Sequence, residues 1–468
     1  MIAMSLPEIA AAVRGTVHDD PGVSVTAPAA VDSRAVEPGG LFVAVAGEHV
    51  DGHDFARTAV DNGAAAVLGS RPLGVPTVVV EDPVAGLAAL AHHVRERLGR
   101  TRVVALTGSQ GKTGTKDLLA QVLAEAGNTV ATLGNNNNEV GLPLTVLRAT
   151  EDTDFLVLEM GARGIGHIRE LCEVATPDVA LVLNVGTAHV GEFGGRDAIA
   201  QAKGEIVEAL PAEGVAVLNA DDPRVAAMAS RTTAPVRTYG EADADVQVRD
   251  LALDPTGRAT FTLAADGHEA AVHLSVLGEH QASNAAAAAA VALALGLELD
   301  AVAGALSRAT ATSKGRMELH ERADGVTVIN DAYNANPDSM RAALKALAAL
   351  GRSRQGGRTV AVLGEMRELG ASAQEEHDAV GRLAVRLDIS QLLVVGEAAR
   401  AIHLGAYLEG SWGEESVFVP DTDAALAWLD EFVAPGDVVL FKASNAAGLQ
   451  RVAEQFLGNN PSKEDTDR

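Results

Sequence analysis

The chain has 468 residues, 47% of them apolar and 3% aromatic, with a formal net charge of −26. That length suits two to four domains with well-filled cores. The charge excludes a general nucleic-acid binder, which needs a basic face, and adsorption to anionic lipid. It leaves room for one polyanionic small ligand in a local backbone nest.

The N-terminal M-I-A-M-S-L-P-E-I has no basic stretch ahead of an apolar one, so no signal peptide is expected, and Ser5 and Glu8 read as a capping box opening a short helix. Residues 1–98 form a first α/β unit, with strands over 41–45, 64–68 and 77–80 between helical stretches. Two polar clusters interrupt it, V-D-S-R at 31–34 and A-G-E-H-V-D-G-H-D-F at 46–55. Turn chemistry explains them as well as a ligand surface made by Ser33, Arg34 and His53 would.

Residues 99–314 open with a short apolar strand at 103–106, then T-G-S-Q-G-K-T-G-T-K-D at 107–117, then a helical pattern over 117–126. This is a phosphate cradle running through Gly108, Ser109, Gln110, Gly111, Lys112, Thr113 and Gly114. The glycines let backbone amides converge on an anion, and the helix start adds free N–H groups and a positive dipole end. Lys112 reaches terminal phosphate oxygens, and the Thr113 hydroxyl suits Mg²⁺. The glycine usual five residues before the G-K-T glycine is replaced by Leu106.

Four asparagines follow in T-L-G-N-N-N-N-E-V-G-L-P, residues 132–143. They read as a solvated loop or as an uncharged lining for a polar substrate, with Asn135, Asn137 and Asn138 the candidates. F-L-V-L-E at 155–159 is a buried strand ending in Glu159. The glycine-rich G-A-R-G-I-G after it favours a metal role for that carboxylate over a helix cap.

Cys172, the single cysteine, sits in a helical pattern and reads as a small core hydrophobe. No disulfide can form within the chain, which fits a reducing, cytoplasmic setting. His189 after L-V-L-N-V-G-T-A is a metal or phosphate candidate, although a lone histidine is a weak signal. Lys203 lies mid-helix in a mostly apolar stretch, where a snorkelling surface lysine is the plain alternative. Residues 246–276 alternate apolar and polar, giving two or three antiparallel strands, and an alanine-rich helix opens near Ser283 or Asn284. The longest apolar run, 285–297, is too short to span a bilayer.

Residues 315–468 again alternate strand and helix, with strands at 327–330, 359–363, 391–394 and 438–441 and no glycine-rich dinucleotide fingerprint. Asn336 before Pro337 reads as an N-cap followed by proline at the first helical position, and the last ten residues are polar.

Taken together, T-G-S-Q-G-K-T, L-E-M-G-A-R-G-I-G-H-I, N-V-G-T-A-H-V-G-E-F-G, A-K-G-E-I, D-A-Y-N-A-N-P-D-S-M and V-L-G-E-M-R-E-L-G resemble the Mur ligase family of bacterial cell-wall synthesis, in order and over nearly the whole chain. The resemblance implies a three-domain α/β fold. A small N-terminal UDP-binding domain would span 1–98. A central ATPase-type domain at 99–314 would hold a mostly parallel sheet with an added antiparallel sheet, and a Rossmann-like C-terminal domain would span 315–468.

The resemblance also implies ATP-dependent joining of D-alanyl-D-alanine to UDP-N-acetylmuramoyl-tripeptide by a monomer, with no nucleic-acid or membrane partner. ATP and Mg²⁺ would be the cofactors. Lys112, Glu159, His189 and Lys203 would be catalytic, and Thr113, Glu159, His189 and a carbamylated Lys203 would surround the metal. Asn284 and Asp331 would contact adenine and ribose, and Arg316 the phosphates. Tyr333, Asn334, Asn336 and Lys442 would stand near the dipeptide. One departure is K-A-S-N at 442–445, where the family usually reads K-G-S-R; Asn445 cannot make an arginine's bidentate contact with a carboxylate. The family member that adds the third peptide residue, folylpolyglutamate synthase, and a nucleotide-dependent switch or non-catalytic ligase-like module are the competing readings. The switch is disfavoured by the absence of N-K-x-D.

Overall fold

A computed structural model describes residues 1–47, 50–186, 195–353, 357–410 and 415–458. Among these residues three main sheets follow one another along the chain. The first has five strands in the spatial order Thr16–His18, Thr77–Val79, Ala66–Gly69, Leu41–Val43, Ala29–Ala30, parallel except where Thr16–His18 meets Thr77–Val79. The expected capping box is present: the Glu8 carboxylate accepts from both the N–H and the hydroxyl of Ser5 at 2.7 Å, and helix Leu6–Val13 follows.

The second sheet has nine strands. Its parallel part is centred on Arg102–Thr107, between Phe155–Glu159 and Val179–Val182. Arg102–Thr107 is buried from Val103 on, as a strand covered on both faces must be. The antiparallel addition consists of three strands, Val246–Leu253, Arg258–Ala265 and His268–Leu277. They extend the same sheet, because Val246 and Gln247 pair in parallel with Tyr239 and Gly240.

The alanine-rich helix spans Gln281–Ala294, and Ala285 to Ala290 are fully buried. They share a core with Leu118, Leu119 and Val122 of helix Lys112–Ala124. Small side chains let the helix start approach the glycine-rich loop: a Cβ on Gly111 would stand 2.6 Å from Asn284 Oδ1.

The third sheet runs Glu318–Glu321, Thr327–Asn330, Val438–Lys442, Thr359–Leu363, Gln391–Val395, Ser416–Val419, parallel after the first antiparallel pair. Its loops after Asn330 and Lys442 stand side by side, because Thr327–Asn330 and Val438–Lys442 are neighbours. Cys172 is buried in helix His167–Ala175, and burial pushes its thiol up to about 12, as suits an inert core residue. None of the described helices is long and apolar enough to cross a membrane.

Candidate active site

Strand Arg102–Thr107 delivers the glycine-rich loop to the carboxyl edge of the nine-stranded sheet, where parallel α/β sheets bind ligands. Gly108 must be glycine because an added Cβ would lie 2.8 Å from Leu183 Cβ. Gly111, at φ 80°, is the N-cap of a helix that begins at Lys112, five residues earlier than its apolar pattern suggests. Thus the Lys112 and Thr113 N–H groups occupy the first turn and lack intrahelical acceptors.

Lys112 Nζ donates to Gly108 O at 2.7 Å. Burial pushes its pKa down, the nearby Glu159 charge opposes that, and Arg316 adds to it. Thr113 Oγ1 donates to Glu159 Oε2 at 3.0 Å, and Asn137 Nδ2 donates to Glu159 Oε1 at 2.7 Å. Glu159 is 2% exposed and no helix starts on it, so the helix-cap alternative falls away.

Lys203 corrects the surface-lysine alternative. It is 5% exposed within helix Arg196–Glu208, and no hydrogen bond or ion pair joins its Nζ to another described residue. Its pKa falls well below the ordinary lysine range, through burial first and the Lys112 charge second. His189 lies outside the described residues.

The alanine-rich helix opens at Gln281, earlier than the expected Ser283 or Asn284, so Asn284 lies one turn inside it. Its Nδ2 donates to Gln281 Oε1 at 2.9 Å. The Arg316 guanidinium stacks 4.5 Å above the Tyr333 ring. Asp331 Oδ2 receives Lys442 Nζ at 2.5 Å, and Asp331 Oδ1 accepts the Met317 N–H at 3.2 Å. Lys442 Nζ also donates to Asn334 O at 3.0 Å, so its ammonium is engaged within the protein. Asn336 caps helix Pro337–Ser353 as expected, accepting the Ser339 N–H at 2.8 Å.

A single cavity of about 1040 Å³ joins these groups, from Ser109–Gly114 through Glu159 and Lys203 to Asn284, Arg316 and the 331–336 segment. Asn135, Asn137 and Asn138 line it as well, which favours the lining role over a solvated loop. Its uncharged amides beside a cationic, hydroxyl-bearing cradle can take a phosphate chain and a polar acid together.

Ser33, Arg34 and His53 do not line this cavity. Arg34 is exposed and forms a double contact with Asp32 at 2.7 and 3.0 Å, which holds the Asp32 carboxyl down at about 2. His53 is buried, with Nδ1 on Asp51 Oδ1 at 2.6 Å and Nε2 accepting the Ser70 N–H at 2.9 Å. Both ring nitrogens are committed to neighbouring turns, so turn chemistry accounts for His53.

Sequence reasoning passed over Asn184, His280 and Gln281, all lining the cavity. The string N-V-G-T-A-H drew attention to His189 and away from the asparagine at its start.

Three family models match successive parts of the chain. "Mur ligase family, catalytic domain" matches residues 29–99, "Mur ligase middle domain" 106–292, and "Mur ligase, glutamate ligase domain" 315–445. The UDP-N-acetylmuramoyl-tripeptide–D-alanyl-D-alanine ligase of Mycobacterium tuberculosis is 49% identical over 98% of this chain and 99% of its own length. The Bacillus subtilis protein of the same name is 35% identical over the same shares. Among solved structures, MurF from Acinetobacter baumannii aligns with a TM-score of 0.86 at 33% identity, covering 98% of this chain and 99% of its own. MurF ligase from Thermotoga maritima in complex with ADP aligns with a TM-score of 0.79 at 33% identity, covering 94% and 99%.

Proposed function

The chain belongs to the Mur ligase family, and from that premise we infer that it is an ATP-dependent ligase joining D-alanyl-D-alanine to UDP-N-acetylmuramoyl-tripeptide in peptidoglycan synthesis. The observation that carries this reading is the single cavity shared by the phosphate cradle, the asparagine loop and the 331–336 segment of the third sheet. A reaction that unites a nucleotide, an acid and an amine needs all three in one place. Residues 1–98 would take the UDP end, 99–314 the nucleotide, and 315–468 the dipeptide. The chain would act as a monomer in the cytoplasm.

A carboxylate is a poor electrophile. One oxygen of the tripeptide's terminal carboxylate attacks the γ-phosphorus, the bond to the β-phosphate oxygen breaks, and ADP leaves. The acyl phosphate is then attacked by the dipeptide amine, and the tetrahedral intermediate expels phosphate. Lys112 and the free amides at the helix start hold charge on the transferring group, so positioning and electrostatics carry the rate. Asn137 orients Glu159 by holding its second oxygen.

Thr113 and Glu159 present hydroxyl and carboxylate oxygens 3.0 Å apart, hard donors that fit Mg²⁺, with His189 and Lys203 as further candidates. When bound, the ion would neutralise phosphate charge.

The test is a phosphate-release assay with ATP, D-alanyl-D-alanine and the UDP-tripeptide in its diaminopimelate and lysine forms. Release should require all three substrates and one tripeptide form should be preferred. Equal release without D-alanyl-D-alanine would overturn the reading, and turnover of UDP-N-acetylmuramoyl-dipeptide with a single amino acid instead would favour the related ligase.

Burial keeps the Lys203 amine neutral at lower pH than an ordinary lysine. A neutral amine adds CO2 to give a carbamate with loss of one proton, placing a negative group beside Lys112. In ¹³C-bicarbonate the native protein should show a carbamate resonance that vanishes in Lys203→Met together with most activity. A silent spectrum from fully active protein rules the modification out.

A further inference from the structure

The corner where strand Val179–Val182 leaves the sheet carries a group that the mechanism above does not use. Asn184 Oδ1 accepts two consecutive amides of the glycine-rich loop, Ser109 N–H and Gln110 N–H, each at 3.0 Å. Its Nδ2 donates back to Gln110 O at 3.2 Å. The Asn184 main-chain carbonyl also accepts the Ser109 N–H at 3.1 Å, and Gly186 N–H donates to Ser109 Oγ at 2.9 Å. Two donors face one end of the carboxamide and an acceptor faces the other, so only this orientation satisfies every group. An aspartate, leucine or serine could not make the same set.

This arrangement divides the loop. Its first amides, at Ser109 and Gln110, are spent inside the protein, while Gly111, Lys112 and Thr113 lead into the helix with N–H groups open to an anion. The segment holding Asn184 is itself pinned, because Asn219 Nδ2 donates to Leu183 O at 2.8 Å and Asp222 accepts the Val185 N–H at 2.8 Å. The latch is therefore anchored in the sheet rather than in a free loop.

We propose that Asn184 is a positioning residue for nucleotide binding, its carboxamide latching the first half of the phosphate loop so that the phosphates meet a preset second half. The inference rests on the reading of the cradle as the nucleotide site. Asn184 acts through the loop. Losing it leaves the Gln110 amide to find water and the Ser109 amide with the Asn184 main-chain carbonyl alone, and frees the loop to sample forms that do not bind, a cost that falls on the nucleotide alone.

The experiment is calorimetric titration of the full chain with ADP and, separately, with UDP-N-acetylmuramoyl-tripeptide, for the native protein, Asn184→Ala and Asn184→Asp. Asn184→Ala should bind ADP about tenfold more weakly and bind the tripeptide unchanged. In Asn184→Asp the second carboxylate oxygen faces the Gln110 carbonyl and adds charge beside the phosphates. Protonation restores a donor there, so its ADP deficit relative to native protein should shrink as pH falls. The charged neighbours Asp222, Asp338 and Lys112 are present in both proteins; they set the pH at which the aspartate takes up its proton, not the direction in which the deficit moves. Native-like ADP binding by Asn184→Ala, equal loss of both ligands, or a pH-independent deficit in Asn184→Asp overturns the proposal. Failure of the native protein to bind ADP would instead overturn the nucleotide site itself, and the inference with it.

Discussion

Lys112→Met will lower turnover by about a hundred- to a thousandfold while the protein stays folded. Among the described residues the side chain makes one hydrogen bond, to Gly108 O at 2.7 Å, and burial already disfavours its charge. Methionine removes that penalty and fills similar space, so the thermal transition should hold or rise. What is lost is a cation inside the cradle, placed to follow charge as the γ-phosphoryl group transfers. Because burial pushes the Lys112 pKa down, its ammonium titrates below the ordinary lysine range in the free protein. kcat/KM for ATP should therefore fall on the alkaline side through that lowered pKa, and the residual activity of Lys112→Met should lack this limb. Retention of most of the turnover number would remove the cradle from the chemistry.

The second large effect is on stability. Lys442 is 1% exposed and meets Asp331, itself 7% exposed, at 2.5 Å. Burial lowers the Lys442 pKa, and Asp331 opposes that shift. Removing one partner strands the other charge. Lys442→Met should cost about 3–5 kcal/mol, and the double variant Lys442→Met with Asp331→Asn should recover a large part of it. Both tryptophans, Trp412 and Trp428, fall in the C-terminal part of the chain, so their fluorescence during denaturant unfolding reports on that part. The same variant should raise KM for ATP, since it frees Asp331 and the Asn334 carbonyl. Identical unfolding midpoints for native and single-variant proteins would show that the pair is not the local keystone. A rise in KM for the dipeptide alone would return Lys442 to direct substrate contact.

The K-A-S-N departure reads differently in this setting. Ser444 is buried, its N–H donating to Glu365 O at 2.9 Å and its hydroxyl accepting the Arg367 N–H at 3.0 Å. The structural duties of Lys442 and Ser444 are thus intact, and the change at Asn445 falls on an exposed residue.

The sequence alone was enough for the cradle, the Mur ligase resemblance, the central strands of the second and third sheets and the caps at Ser5 and Asn336. Those features are local: backbone amides, lysine and hydroxyl lie within a few consecutive residues, and caps act over three. Only the tertiary structure decided that Lys203 is buried, that Glu159 turns to Thr113 across 46 residues, that Lys442 meets Asp331 across 111, and that Asn184 latches a loop 74 residues away. Apolar periodicity tells which face of a helix or strand is covered. It does not tell what covers it, because strand order in a parallel sheet is set by crossovers rather than by adjacency in the chain. Every long-range partner in this site meets another at the carboxyl edge of a sheet, and that order is what folding supplies.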